Sequence, residues 1–168
     1  MRIAAGIEYD GSGFCGWQSQ QGVRTVQDCI EKALSSVANH EVKVMASGRT
    51  DTGVHAVGQI IHFDASAQRS MRSWVLGANA NLSKDVCLRW SRTVEEHFHA
   101  RFSAVSRRYR YVILNRWVRP AILRGRVTWQ HRPLNEKGMQ QAGKLLEGKH
   151  DFTTFRALAC QSKCPVRH

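Results

Sequence analysis

The sequence predicts an α+β protein: a mixed, mainly antiparallel sheet with helices on one face. Three observations predict it. Short alternating segments rich in Val, Ile and Tyr recur along the chain, stretches of 3.6-residue apolar periodicity separate them, and glycine clusters mark several of the joints. At 168 residues and 42% apolar composition the chain is long enough to bury a core and too apolar to be disordered.

Residues 3–9 read as a strand, and the glycine-rich loop at 10–18 reads as a turn that exposes its aromatics, Phe14 and Trp17. A helix follows. Thr25 caps it with Asp28 three residues on, and Val26, Cys29, Ile30, Ala33, Leu34, Val37 and Ala38 line one face for covering a sheet. Strands at 42–46 and 59–64 complete a β-α-β-β order. A helix over 71–77 turns Met71, Trp74 and Val75 inward, and a strand over 86–90 places Val86, Leu88 and Trp90 on one face. Residues 107–114 alternate Arg or Val with Tyr109, Tyr111 and Ile113, which predicts a strand with arginines and aromatics on opposite faces. The last helix runs over 135–148, from Asn135 as N-cap to Gly148 as C-cap, and buries Met139, Ala142, Leu145 and Leu146. The tail at 150–168 shows no regular pattern. Helices on one face leave the other free for a flat or grooved ligand.

The charge is lopsided. Of the net +12, residues 1–84 carry +1 and residues 85–168 carry +11. Between Arg101 and Arg132 stand nine arginines and no acidic residue. An unopposed basic stretch repels itself and calls for a polyanionic partner. Guanidinium groups form forked contacts to phosphate and stack on bases, so arginine in place of lysine favours nucleic acid over membrane. Tyr109, Tyr111 and Trp117 lie among these arginines, an interleaving suited to looped or single-stranded RNA, although the tyrosines also fit the core face of a strand.

Five scattered cysteines, an early charge at Arg2 and the lack of any apolar run of membrane-spanning length together point to a soluble, cytoplasmic protein without a disulfide framework. Cys160, Cys164 and His168 match no common zinc spacing, so no metal is expected.

The run Gly48-Arg49-Thr50-Asp51-Thr52-Gly53-Val54-His55-Ala56 sets one carboxylate beside an arginine in a glycine-bounded loop between strands. Such a loop can present a reactive group. Taken alone, the same residues also fit an Asx-turn, in which Asp51 bonds its own backbone.

The chain resembles the tRNA pseudouridine synthase A family. The resemblance rests on Tyr9-Asp10-Gly11-Ser12 with Gly16-Trp17-Gln18, the Asp51 run, and Asn79-Ala80-Asn81-Leu82. It continues through Phe98-His99-Ala100-Arg101-Phe102-Ser103-Ala104, Arg107-Arg108-Tyr109-Arg110-Tyr111, Asp151-Phe152-Thr153-Thr154-Phe155-Arg156-Ala157 and Cys160-Gln161-Ser162. Several motifs in one order are far more specific than any one of them.

The resemblance implies a pseudouridine synthase-like fold, with an RRM-like β-α-β-β half, that isomerises uridine in the anticodon stem-loop of tRNA with no cofactor. It implies Asp51 as nucleophile, at C6 of the base or C1′ of the ribose, with Arg49 beside it helping to extrude the nucleotide. It implies Tyr109 as the ring that stacks on the flipped base, a step in which unstacking costs a few kcal/mol and an aromatic platform recovers about 1 to 3. Arg101, Arg107, Arg108, Arg110 and His55 are the accompanying substrate-binding candidates; the resemblance gives His55 and His62 no catalytic role. It further implies a homodimer, no membrane partner, an N-terminal half at 1–105 and the start of a second half at 106–168. Members carry a longer second half, so weak tRNA binding and poor or no turnover are expected of this chain alone. A non-catalytic RNA-binding fragment and a ribonucleoprotein component are the other readings, and neither needs a carboxylate in a basic groove.

Overall fold

The computed structural model describes residues 1–156 and 164–167. They form two compact units, the first spanning Met1–Tyr111 with Leu123–Arg126, the second Val112–Ile122 with Val127–His168. Among the described residues no helix is long and apolar enough to cross a membrane.

The first unit is a four-stranded sheet with two helices. Its elements run β1 (Arg2–Tyr9), α1 (Val26–Ala38), β2 (Val44–Ala46), β3 (Ala56–Asp64), α2 (Met71–Asn81) and β4 (Val86–Val94). The sheet order is β2-β3-β1-β4 with every neighbouring pair antiparallel, the split β-α-β arrangement. Alternation on β1 sends Ile3, Ala5, Ile7 and Tyr9 into the core, where they meet Ile61 and Phe63 of β3, Leu88 of β4, and Ile30, Leu34 and Trp74 of the helices. Burying each of these larger side chains contributes about 1.5–3 kcal/mol.

α1 starts where expected, because the Thr25 side chain accepts the Asp28 N–H. It ends at Asn39, whose φ of 58° is left-handed. α2 is longer than the expected 71–77 segment; the Ser70 hydroxyl caps Ser73 N–H, and Gly77 lies mid-helix close to Val37 of α1.

Four expectations are corrected in this unit. Trp90 does not share a face with Val86 and Leu88. Ile7 pairs with Leu88 but Gly6 pairs with Trp90, so Arg89 is an extra residue in a β-bulge, and Trp90 emerges on the face away from the helices. Its ring lies over Gly6, where a Cβ would stand 2.2 Å from the indole nitrogen. Phe14 and Trp17 are not exposed; each is only 2% accessible, Phe14 under the Arg24 guanidinium and Trp17 against Tyr9. Nor is the second face of the sheet wholly free. His62 projects there yet is 4% accessible, since its Nδ1 accepts Ala100 N–H at 3.1 Å and the rings of Phe98 and His99 pack on it. Burial, then the charges of His99 and Arg2, hold its imidazole below the usual histidine range.

The fourth correction is that residues 107–112 form no strand. An extended segment is held by a neighbour's ladder, and among the described residues no strand pairs with 107–111; Val112 alone is reached, its carbonyl accepting Thr128 N–H at 2.9 Å. Tyr109 and Tyr111 are therefore 74% and 77% exposed and not core residues.

The second unit carries β5 (Ile113–Asn115) paired in parallel with β6 (Thr128–Gln130), α3 (Glu136–Lys144), and β7 (His150–Asp151) paired with β8 (Val166–Arg167). α3 is capped as expected, with Asn135 accepting Gly138 N–H, but it ends before the expected Gly148. It buries nothing, and Met139, Leu145 and Leu146, expected in a core, are exposed. The short β7–β8 pair lies in the tail that had no legible pattern. Cys164 is exposed, whereas Cys160 and His168 of the zinc-spacing question lie outside the described residues, as does the Cys160-Gln161-Ser162 motif.

Candidate active site

The Asp51 loop spans the gap from β2 to β3 and is clamped along its length by its own unit. Beneath its first half lies a buried polar network. The Tyr9 hydroxyl bonds Thr50 Oγ1 at 2.7 Å, Gln59 Nε2 donates to the Gly48 carbonyl, and Ser47 Oγ donates to Gln59 Oε1 at 2.6 Å. Burial, the largest influence, raises the Tyr9 phenol above the usual tyrosine range, so it remains a neutral hydrogen-bonding group.

The loop after β1 supplies the second clamp, a part the sequence reading missed. Trp17 N–H donates to the Thr50 carbonyl at 2.9 Å and Gly53 N–H to the Phe14 carbonyl at 3.4 Å. Two glycines make this contact possible. A Cβ on Gly16, at φ 85°, would stand 2.9 Å from the Thr50 oxygen, and one on Gly11 would stand 2.0 Å from the Val54 oxygen. The available signal was the Gly11, Gly13 and Gly16 cluster, whose side-chain-free backbone suits close approach to another backbone.

Asp51 sits at the first position of a turn closed by Val54 N–H donating to its carbonyl at 3.2 Å, with Gly53 at φ 79° in the third position. The backbone closes this turn. Among the described residues no hydrogen bond ties the Asp51 carboxylate to its own loop, so the Asx-turn is not adopted. Asp51 and Arg49 are both exposed.

His55 ends the loop. Gly11 N–H donates to its Nδ1 at 3.2 Å, and its Nε2 lies 2.9 Å from the Gly125 carbonyl, a pairing that fits the Nε2–H tautomer. Asp10 stands beside it, bonded by Ser12 and by Arg126 at 3.1 Å, and these contacts, Ser12 foremost, hold its carboxyl below the usual range. Residues 8–10, 55–57 and 84–87 with Arg126 line a groove of about 550 Å³ next to this end of the loop.

Tyr109 and Arg107 approach the other end. A Cβ on Gly48 would lie 3.8 Å from the Tyr109 hydroxyl and 3.6 Å from Arg107 Nε. Tyr109 thus stands at the Gly48 end of the loop that carries Arg49 and Asp51. Arg101, Arg108 and Arg110 are exposed on the segment that leads to and past Tyr109. The arrangement presents an exposed carboxylate on a braced loop, with a guanidinium two residues before it and the Tyr109 phenol at the loop's Gly48 end, which suits nucleophilic attack on a planar substrate.

Comparison with known proteins places these features in context. Residues 5–103 match the family model described as tRNA pseudouridine synthase. The chain is 59% identical to the tRNA pseudouridine synthase A of Alcanivorax borkumensis, over 99% of this chain and 62% of that protein. It is 58% identical to that of Nitrosococcus oceani, over 100% of this chain and 65% of the relative, and 56% identical to that of Vibrio cholerae, over 100% and 64%. The chain therefore spans under two thirds of the length of these relatives.

Proposed function

The chain belongs to the tRNA pseudouridine synthase family, and from that premise we propose that it isomerises uridine to pseudouridine in the anticodon stem-loop of tRNA, with Asp51 as nucleophile. The observation that carries the proposal is the Asp51 carboxylate itself, left out of its own turn by a backbone hydrogen bond and held on a loop braced from two sides. A rigid loop keeps the nucleophile near its attack geometry without ordering it anew at each turnover.

Attack on the target nucleotide is followed by cleavage of the C1′–N1 bond. The uracil turns while held, a C1′–C5 bond forms, the bond to Asp51 breaks and returns the free carboxylate, C5 gives up its proton and N1 gains one. The product has the atoms of the substrate, so the reaction balances without a co-reactant. Tyr109 stacks on the flipped base and Arg49 fills the space the nucleotide leaves or pairs with a phosphate. Arg101, Arg108 and Arg110 hold the RNA backbone, which makes recognition largely a reading of shape. His55, with both ring nitrogens engaged by the protein, offers RNA the face of its ring. The tRNA substrate sets this work in the cytoplasm, and a second copy of the chain is the expected protein partner, to be checked by sedimentation.

Asp51→Asn is the direct test, read by pseudouridine formation on a tRNA transcript and by tRNA affinity. The expected result is loss of product with affinity kept or tightened, because a carboxylate in a basic surface weakens phosphate binding. Product formation by the variant at the rate of the parent chain overturns the nucleophile assignment.

A further inference from the structure

We infer that Arg107 is a positioning residue, holding the Tyr109 arm against the start of the Asp51 loop, and not a ligand for RNA phosphate. The inference rests on the proposed function for its relevance to catalysis, but its geometry stands apart from it. Arg107 Nε donates to the Ser47 carbonyl and Nη2 to the Arg101 carbonyl, both at 2.8 Å. One acceptor immediately precedes Gly48; the other lies six residues back on the arginine's own segment. The guanidinium fork therefore closes residues 101–107 into a loop and staples that loop to the edge of the sheet.

Both anchor points are themselves fixed. Ser47 N–H donates to the Ile60 carbonyl at 2.8 Å and its hydroxyl to Gln59. At the other end, Ala100 N–H is bonded to the buried His62 ring. Among the described residues no strand ladder runs between these points, so the staple supplies the order that a neighbouring strand would otherwise give. Tyr109 follows Arg107 by two residues, and in extended backbone such residues share a face. Pinning Arg107 on Ser47 thus directs the Tyr109 hydroxyl to Gly48, where it lies.

A lysine keeps the charge but cannot reproduce the planar fork that spans two carbonyls. This separates the two roles. In Arg107→Lys and Arg107→Ala, two quantities are measured on the chain as it stands: the nuclear Overhauser contact between the Tyr109 ring and the Gly48 α-protons, and the salt dependence of affinity for a tRNA transcript. The expected result is a contact present in the parent chain, lost in both variants, with the log-log salt slope unchanged. A phosphate ligand would instead make the slope shallower by roughly 0.7–0.9 in Arg107→Ala and restore it in Arg107→Lys. That outcome overturns the inference, as does a contact absent from the parent chain or persisting in both variants. Should the parent chain bind no tRNA, the proposed function fails, while the Overhauser contact still decides the role of Arg107.

Discussion

The two units of this chain use the same kinds of local signal to different effect. In the first, α1 turns its apolar stripe onto a sheet and buries Val26, Ile30, Ala33, Leu34 and Ala38. In the second, α3 is equally well capped and carries its own apolar residues, yet none is buried. Capping and periodicity set where a helix starts and which side is apolar; they do not supply the surface that covers that side. The second unit leaves Trp117, Ile122, Leu145 and Phe155 exposed as well, and apolar exposure on this scale marks a surface that another element covers or that promotes association.

The sharpest way to break this contrast is to truncate one apolar side chain in each unit. Leu34→Ala is expected to cost about 2–5 kcal/mol, and Leu145→Ala to stay within about 0.5 kcal/mol, both by urea denaturation. Equal losses would mean that α3 packs in solution against something unseen. Smaller effects come from glycines. Gly6→Ala drives a Cβ into the Trp90 ring and should destabilise by about 1–3 kcal/mol. Its counterpart Gly143→Ala, inside α3 with no neighbour within 4 Å, should stabilise that helix by about 0.5–1 kcal/mol, read as a rise in helicity.

A further contrast lies in pH. The folded state holds His62 neutral below its usual range, so the unfolded chain binds the proton more readily. The stability this contributes is present in full above the unfolded value of about 6.5 and declines as pH falls from there towards the depressed folded value. Denaturation midpoints at several pH values should show this slope, and His62→Gln should flatten it. An unchanged slope in that variant would assign it to another group.

The difference between the units also explains what could be read in the sequence. The core of the first unit was legible because each of its segments satisfies a local period and finds a neighbour. Asp51 was legible as a candidate from its glycine-bounded loop, and the ordered motifs around Tyr109 raised it above a turn residue. Residues 107–111 misled because alternation describes a strand only when a second strand lies alongside. Phe14 and Trp17 misled for the opposite cause: a glycine-rich loop reads as surface, but here its missing side chains let it lie directly on the Asp51 loop and bury its aromatics. The role inferred for Arg107 was illegible in principle, since a guanidinium that seeks phosphate and one that grips two carbonyls are spelled alike.

The bulge in β4 bears on how this strand can change length over generations. Val86, Leu88, Ser91 and Thr93 point to the helices, and between them only Arg89 breaks the alternation of sides. Losing that one codon would leave a regular strand with Trp90 still over Gly6. Losing a codon on the stretch after it would exchange inward and outward side chains for the remainder of the strand, so a one-residue gap among descendants of this sequence is best tolerated at Arg89.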